Sequence, residues 1–189
     1  MLKDFLLQKK DYIVKKWLKE ILDTYPAETS RFFKKEKDRF LNPVGYTISQ
    51  EIKVLYDELF HVKNSDKLFT SLDNILKIKA VQEFSPSQAI TFIYLLKKVI
   101  RKECITSIRK DNLFEELLEI ENKIDKIALY SFDIYMKYRE RLYKLKVNEV
   151  KRGVSSFLKR SKLVYEIPDE QLNSKEGNQY KNEVSINEF

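Results

Sequence analysis

The chain is short of the residues that interrupt or cross-link a fold. Its 189 residues include three glycines, four prolines, one cysteine and one histidine. A single cysteine, Cys104, excludes an internal disulfide and fits a reducing cytoplasm, where the protein is expected to reside. A single histidine, His61, excludes a site built on several imidazoles, and no metal-ligand spacing is visible elsewhere. Long apolar runs are also missing. The longest candidate, Ala89 to Leu96, is cut off by Lys97 and Lys98, and the opening residues carry Lys3 and Asp4 with only a short apolar cluster, so neither a signal peptide nor membrane insertion is expected. There is no nucleophile elbow, phosphate loop or HExxH motif. Catalysis therefore has no candidate residue, no cofactor or metal is expected, and the chain reads as non-enzymatic. No run alternates apolar and polar residues between turn signals, which leaves no basis for a sheet.

What is present is helical patterning. Hydrophobic residues make up 43% of the chain and charged residues 34%, and apolar stripes recur at spacings of three and four. This implies an all-α helical bundle in one domain, residues 1–164, with a polar tail, 165–189, too poor in large apolar residues to build a core. A first helix from about Lys3 to Thr24 ends at Tyr25-Pro26, because a residue before proline is pushed out of the α region. A short second helix should turn both Phe32 and Phe33 inward. A third follows Asn42-Pro43, the asparagine as N-cap and the proline at the first helical position. Gly45 inside its first turn costs up to ~1 kcal/mol relative to alanine and suggests the close approach of another helix or a ligand. A fourth helix, capped by Asn64-Ser65-Asp66, carries Leu68, Leu72, Ile75, Leu76 and Val81 inward to Phe84.

The most sharply specified joint comes next. Ser85, Pro86 and Gln88 form an N-cap, a first-position proline and an S-x-x-Q capping box. They open a central helix to about Arg109 that is apolar on nearly all sides. Asp111 should cap a last, long helix whose seam runs from Leu113 through Ile124 and Ser131 to Tyr138, Leu142 and Leu145. A seam over more than four heptads suits coiled-coil pairing as well as core packing. To Leu163 such a helix would reach roughly 80 Å at ~1.5 Å per residue, so it either breaks near Gly153 or its end projects.

Net charge is +7, unevenly placed. Residues 111–136 hold seven acids and two bases, 137–162 ten bases and two acids, and 163–189 six acids and two bases. The basic stretch suits nucleic acid, an acidic partner or its own acidic neighbours. Nucleic acid is the weaker choice, since no reader motif is present and the flanking acids repel a polyanion. Glu115, Glu116, Glu119 and Glu121 read as a solvated helix face, His61 as a residue at a helix end, and Cys104 as a small core hydrophobe.

Five ordered blocks give the chain a resemblance: Trp17 with Leu22-Asp23-Thr24-Tyr25-Pro26; Phe40-Leu41-Asn42-Pro43-Val44-Gly45; Ile78 to Ala89; Phe132-Asp133-Ile134-Tyr135-Met136; and Val147-Asn148-Glu149-Val150-Lys151-Arg152. Together they resemble the N-terminal domain of the RsbT co-antagonist proteins, the RsbR/RsbRD group of bacterial stressosome sensors. The resemblance implies a globin-like, haem-free sensory domain that dimerises and joins a C-terminal STAS domain. After residue 160 the chain departs from that pattern into an acidic segment.

The expected function is thus a cytoplasmic signalling, sensor or adaptor domain of the stress-response type. It would act by protein–protein interaction as a homodimer with an unidentified protein partner, and its helical core leaves room for a small ligand. Asn42, Pro43, Gly45, Ser85, Pro86 and Gln88 are candidates for a ligand site or a structural joint. Tyr138, Leu142, Leu145, Asn148, Glu149, Lys151 and Arg152 are candidates for a partner or dimer surface. The rivals are nucleic-acid binding by helix 137–162 and a haem or other cofactor sensor.

Overall fold

A computed structural model describes residues 2–60 and 65–160. His61, the Asn64 cap, the 164/165 boundary and the tail 165–189 lie outside the described residues. Within them the chain is all-α, with seven helices: α1 Leu2–Gln8, α2 Lys10–Leu22, α3 Ala27–Lys35, α4 Pro43–Phe60, α5 Ser65–Val81, α6 Pro86–Lys110 and α7 Phe114–Arg160. None of these helices is long and apolar enough to cross a membrane. The chain divides into two compact units, Met1–Leu142 and Tyr143–Phe189.

The first unit holds the core. Trp17 and Ile21 of α2, Ile48, Ile52 and Tyr56 of α4, Leu72 and Ile75 of α5, Phe92 and Ile100 of α6, and Ile124 and Tyr135 of α7 are all buried in one cluster. The expected first helix is two, divided at Lys9, whose φ of −94° and ψ of 14° leave the helical range. The break is slight, because Lys9 N–H still reaches the Phe5 carbonyl and Ile13 N–H the Lys9 carbonyl, each at 3.0 Å.

Two inward assignments are corrected, and the central helix is less enclosed than its apolar surface implies. Phe33 is buried but Phe32 is 49% exposed, since neighbours on a helix diverge by about 100° and cannot share one face. Val81 is 64% exposed and Lys79 takes the buried position, at 1%; position 79 continues the Leu68, Leu72, Ile75, Leu76 stripe and position 81 falls off it. Tyr94 on α6 is exposed, so the central helix keeps one open side.

Asp111 closes α6 as its C-cap and does not open α7. Asn112, at φ 53°, makes the left-handed turn, Leu113 N–H returns to the Ile108 carbonyl at 3.0 Å, and Leu117 N–H to the Leu113 carbonyl at 3.0 Å starts the next helix. The seam of α7 from Leu113 to Tyr135 is buried, so over that length it packs into its own chain. There is no break at Gly153: α7 runs through it to Arg160, and a Cβ at that position would meet nothing within 4 Å.

The end of α5 uses the same left-handed turn with a less suitable residue. Glu83 has φ 58°; Phe84 N–H returns to the Lys79 carbonyl at 3.3 Å and Glu83 N–H to the Ala80 carbonyl at 3.2 Å. This is a Schellman cap, in which glycine escapes the roughly 1–2 kcal/mol that an L side chain costs there. Glu83→Gly is expected to stabilise the protein by about 0.5–1 kcal/mol, after the greater chain entropy of glycine is subtracted. A lowered urea midpoint would mean that the contacts of the Glu83 side chain outweigh the strain.

Candidate functional site

At the α5–α6 joint three of the resembling blocks meet: Tyr25 from the first, the segment Ile78 to Ala89, and Tyr135 from the fourth. Ser85 caps α6 as its sequence requires: its Oγ accepts from Gln88 N–H at 3.3 Å and Gln88 Oε1 accepts from Ser85 N–H at 3.0 Å. Pro86 fills the first position. These groups are exposed and mutually satisfied.

Beneath them lies a group that the patterning of the sequence left in solvent. The ammonium of Lys79 sits 4.3 Å from the centre of the Phe84 ring, 5.2 Å from Tyr25 and 5.9 Å from Phe92. No carboxylate among the described residues faces it, and burial pulls its pKa down to about 8. Ring faces attract a cation and offset part of that cost. Its position on the α5 stripe was the available signal, since Lys79 follows Leu72, Ile75 and Leu76 at helical spacing.

Tyr25 ties the joint to the α2–α3 turn. Its ring meets Phe33 and Phe84 edge-on at 5.2 and 5.3 Å, and its hydroxyl donates to Gln82 Oε1 at 3.2 Å. From α7, the Tyr135 hydroxyl donates to the Phe84 carbonyl and Arg139 Nη1 to the Ala80 carbonyl at 3.4 Å. One turn further on, Tyr138 donates to Asp73 Oδ2 on α5 at 2.6 Å. Two side chains of α7 therefore hold the end of α5 and the joint, and a third holds the middle of α5.

Asn42 and Gly45 form a separate structure. Asn42 is 2% exposed; its Oδ1 accepts from Gly45 N–H at 2.8 Å, and its Nδ2 donates to the Glu36 carbonyl at 2.9 Å and the Phe33 carbonyl at 3.4 Å. The cap of α4 is thus also the clasp on the end of α3. It reaches the joint indirectly, through Phe33 and Tyr25. A Cβ on Gly45 would press on Asn42 Nδ2, with Oδ1 2.7 Å and Cγ 2.9 Å away. The expectation that another helix or a ligand requires this glycine is corrected: the cap side chain itself does.

The sign of the Gly45→Ala effect should depend on whether the Asn42 side chain is present. Asn42→Ala is expected to cost about 1–3 kcal/mol, and Gly45→Ala alone about 1 kcal/mol through the displaced cap. In the Asn42→Ala background Gly45→Ala should instead stabilise, by up to ~1 kcal/mol, because alanine is the better helix former. Urea unfolding of the four proteins measures it; a loss in both backgrounds would restore an approaching helix or ligand.

Of the acidic residues expected on the solvated face of α7, Glu115 and Glu119 are exposed and Glu116 is half-buried, whereas Glu121 is not solvated. Glu121 is 5% exposed and takes Arg101 Nε at 2.5 Å and Nη2 at 2.6 Å, which holds the guanidinium pKa above its usual value. Lys97 sits 3.0 Å from Asp125 and 3.9 Å from Glu121, so the two acids are bridged by cations of α6.

The surface candidates separate. Tyr138 and Leu142 are half-buried and packed against the core of the first unit. In the second unit Leu145 is 60% exposed, Asn148 is half-buried, and Glu149, Lys151 and Arg152 are exposed. Cys104 is buried, and burial pushes its thiol pKa up, the setting of an inert core cysteine. Among the described residues no three His, Cys, Asp or Glu side chains come together to hold a metal.

Helix caps, satisfied carbonyls and a cation among rings make this an all-α domain with a braced joint. A family model, the RsbT co-antagonist protein RsbRD N-terminal domain, matches residues 11–150, and the chain belongs to that family of stressosome-associated, sensor-type domains, generally regulatory and not catalytic. No curated protein and no solved structure matches it.

Proposed function

We propose that the chain is a non-enzymatic cytoplasmic signalling domain, sensor or adaptor, that works as a homodimer by protein–protein contact and passes a change at the α5–α6 joint to α7. The observation that carries this reading is the grip of Tyr135 and Arg139 on the Phe84 and Ala80 carbonyls. A displaced joint must move α7 or break those bonds, and two discrete arrangements of such an element are what a signal can bias.

The reading includes a globin-like, haem-free interior. In its support, the void bounded by Trp17, Leu55, Leu59, Ile93, Leu96 and Ile127 measures about 10 Å³, room for at most a single water, and its lining is apolar. A small organic ligand would enter this core only by displacing side chains that line the void.

Affinity purification of the whole chain from native cells, with mass spectrometry of proteins and small molecules, tests the proposal. A stoichiometric protein partner and a dimeric mass by sedimentation are expected. Recovery of nucleic acid or a coloured cofactor without a protein would overturn the reading in favour of its rivals, and a monomer at high micromolar concentration would remove the dimer.

A further inference from the structure

Within the first unit, the middle of α7 turns an apolar edge to solvent. Leu129, Phe132 and Met136 are 67%, 41% and 42% exposed. They are spaced three and four apart, so at ~100° per residue all three fall within about 60° of arc. Tyr94 of α6, also exposed, widens this edge. The pairs Arg101–Glu121 and Lys97–Asp125 show that α6 and α7 run antiparallel here. Tyr94, three residues before Lys97, and Leu129, four after Asp125, both lie one turn further in the same direction and stand at the same level. Asp133 and Lys137 border the edge on one flank, one turn apart. Both are exposed, and neither has a hydrogen bond or ion pair among the described residues.

Resting on the homodimer reading above, we propose that this edge is where two copies of the chain meet, their α7 helices crossing antiparallel about a two-fold axis at the level of Tyr135. The charges select this occupant. The flank carries one acid and one base and has no net charge, so it gives no purchase to a polyanion, an anionic membrane or a helix bordered by a single sign. A two-fold contact requires a surface complementary to itself, and this flank is one. Antiparallel helices bring like flanks together, and an axis at residue 135 lays Asp133 of each copy level with Lys137 of the other. Phe132 then falls within about 3 Å of the level of Met136 of the other copy, at ~1.5 Å per residue, so the apolar residues meet in the same register as the charges. A parallel pair turns this flank to the opposite one, where the buried Ala128 and Tyr135 stand, and leaves both charges unmatched.

Sedimentation velocity of the full chain tests the pairing. A dimer dissociating in the micromolar range is expected, because an edge of four residues per copy is smaller than a standard stable interface. Phe132→Asp and Met136→Asp should each weaken it at least about tenfold, and Val150→Asp, on the exposed surface of the second unit, less than about twofold. Asp133→Lys and Lys137→Asp leave the apolar edge intact. Each alone should dimerise at least about tenfold more weakly, since lysine then faces lysine or aspartate faces aspartate, while an equimolar mixture of the two should return to within about threefold of the native affinity. Mixing cannot rescue an effect confined to one helix, and circular dichroism checks the helix content of every variant. No rescue in the mixture, or a dimer indifferent to Phe132→Asp, overturns this pairing and leaves the homodimer reading standing. A dimer that Val150→Asp dissociates does the same, and moves the contact to the second unit. A native chain that stays monomeric at high micromolar concentration overturns both; if it then loses a protein partner from native cells on Phe132→Asp, another protein is the occupant.

Discussion

Lys79→Met should make the protein more stable at neutral pH, by about 1–3 kcal/mol, and should abolish a rise in stability that the native chain shows between about pH 8 and pH 10. The lysine is buried with its ammonium pKa pulled to about 8, below the ordinary 10.5 that it regains on unfolding. Between those values the unfolded chain binds more protons, so stability climbs with pH. The full interval corresponds to roughly 3 kcal/mol, and attraction by the Phe84, Tyr25 and Phe92 rings reduces it. Above pH 10 the sign reverses. Tyr25 and Tyr138 have pKa values pushed up to about 12, mainly by burial, so the unfolded chain loses those protons first and stability falls. Methionine keeps the length and the ring contacts of the lysine stem without a charge to desolvate. Urea midpoints at pH 7, 8.5 and 9.5 decide it: a flat native profile over that range would show that the rings compensate the ammonium fully.

The same residue marks where sequence patterning reaches its limit. Helix punctuation was legible because caps are local: Asn42 with Pro43 and Ser85 with Pro86 and Gln88 each announce a helix start through chemistry confined to three or four residues. Long stripes were legible for the same reason, and the seam from Leu113 to Tyr135 is the buried side of α7. Whether that seam faces its own domain or another chain depends on residues far away, and no periodicity reports it. Charged residues were the other blind spot. Lys79 and Glu121 stand on apolar stripes and are buried because distant partners satisfy them, three rings in one case and Arg101 in the other. Gly45 was recognised as constrained, but its cause is a side chain three positions earlier. The joint itself was visible as a cap; its brace from Tyr135 and Arg139, more than fifty residues on, was not.

Trp17→Ala is expected to cost about 3–5 kcal/mol, the range for emptying a large aromatic site. The indole is 1% exposed and bounds the void shared by α2, α4, α6 and α7, while its Nε1 donates to the Phe92 carbonyl at 2.6 Å. Little else can fill the space, because side chains from four helices would have to move together. The resulting cavity should be apolar and dry apart from that carbonyl, so benzene or indole should bind it and return part of the lost stability in proportion to ligand concentration. Indole, which carries the missing N–H, should rescue more than benzene. The native protein should gain nothing from either, since its void of about 10 Å³ admits neither ring. Thermal unfolding with and without each compound measures both arms. A gain in the native protein would show that the core opens around Trp17 on its own, the motion that a sensor with an interior ligand would need.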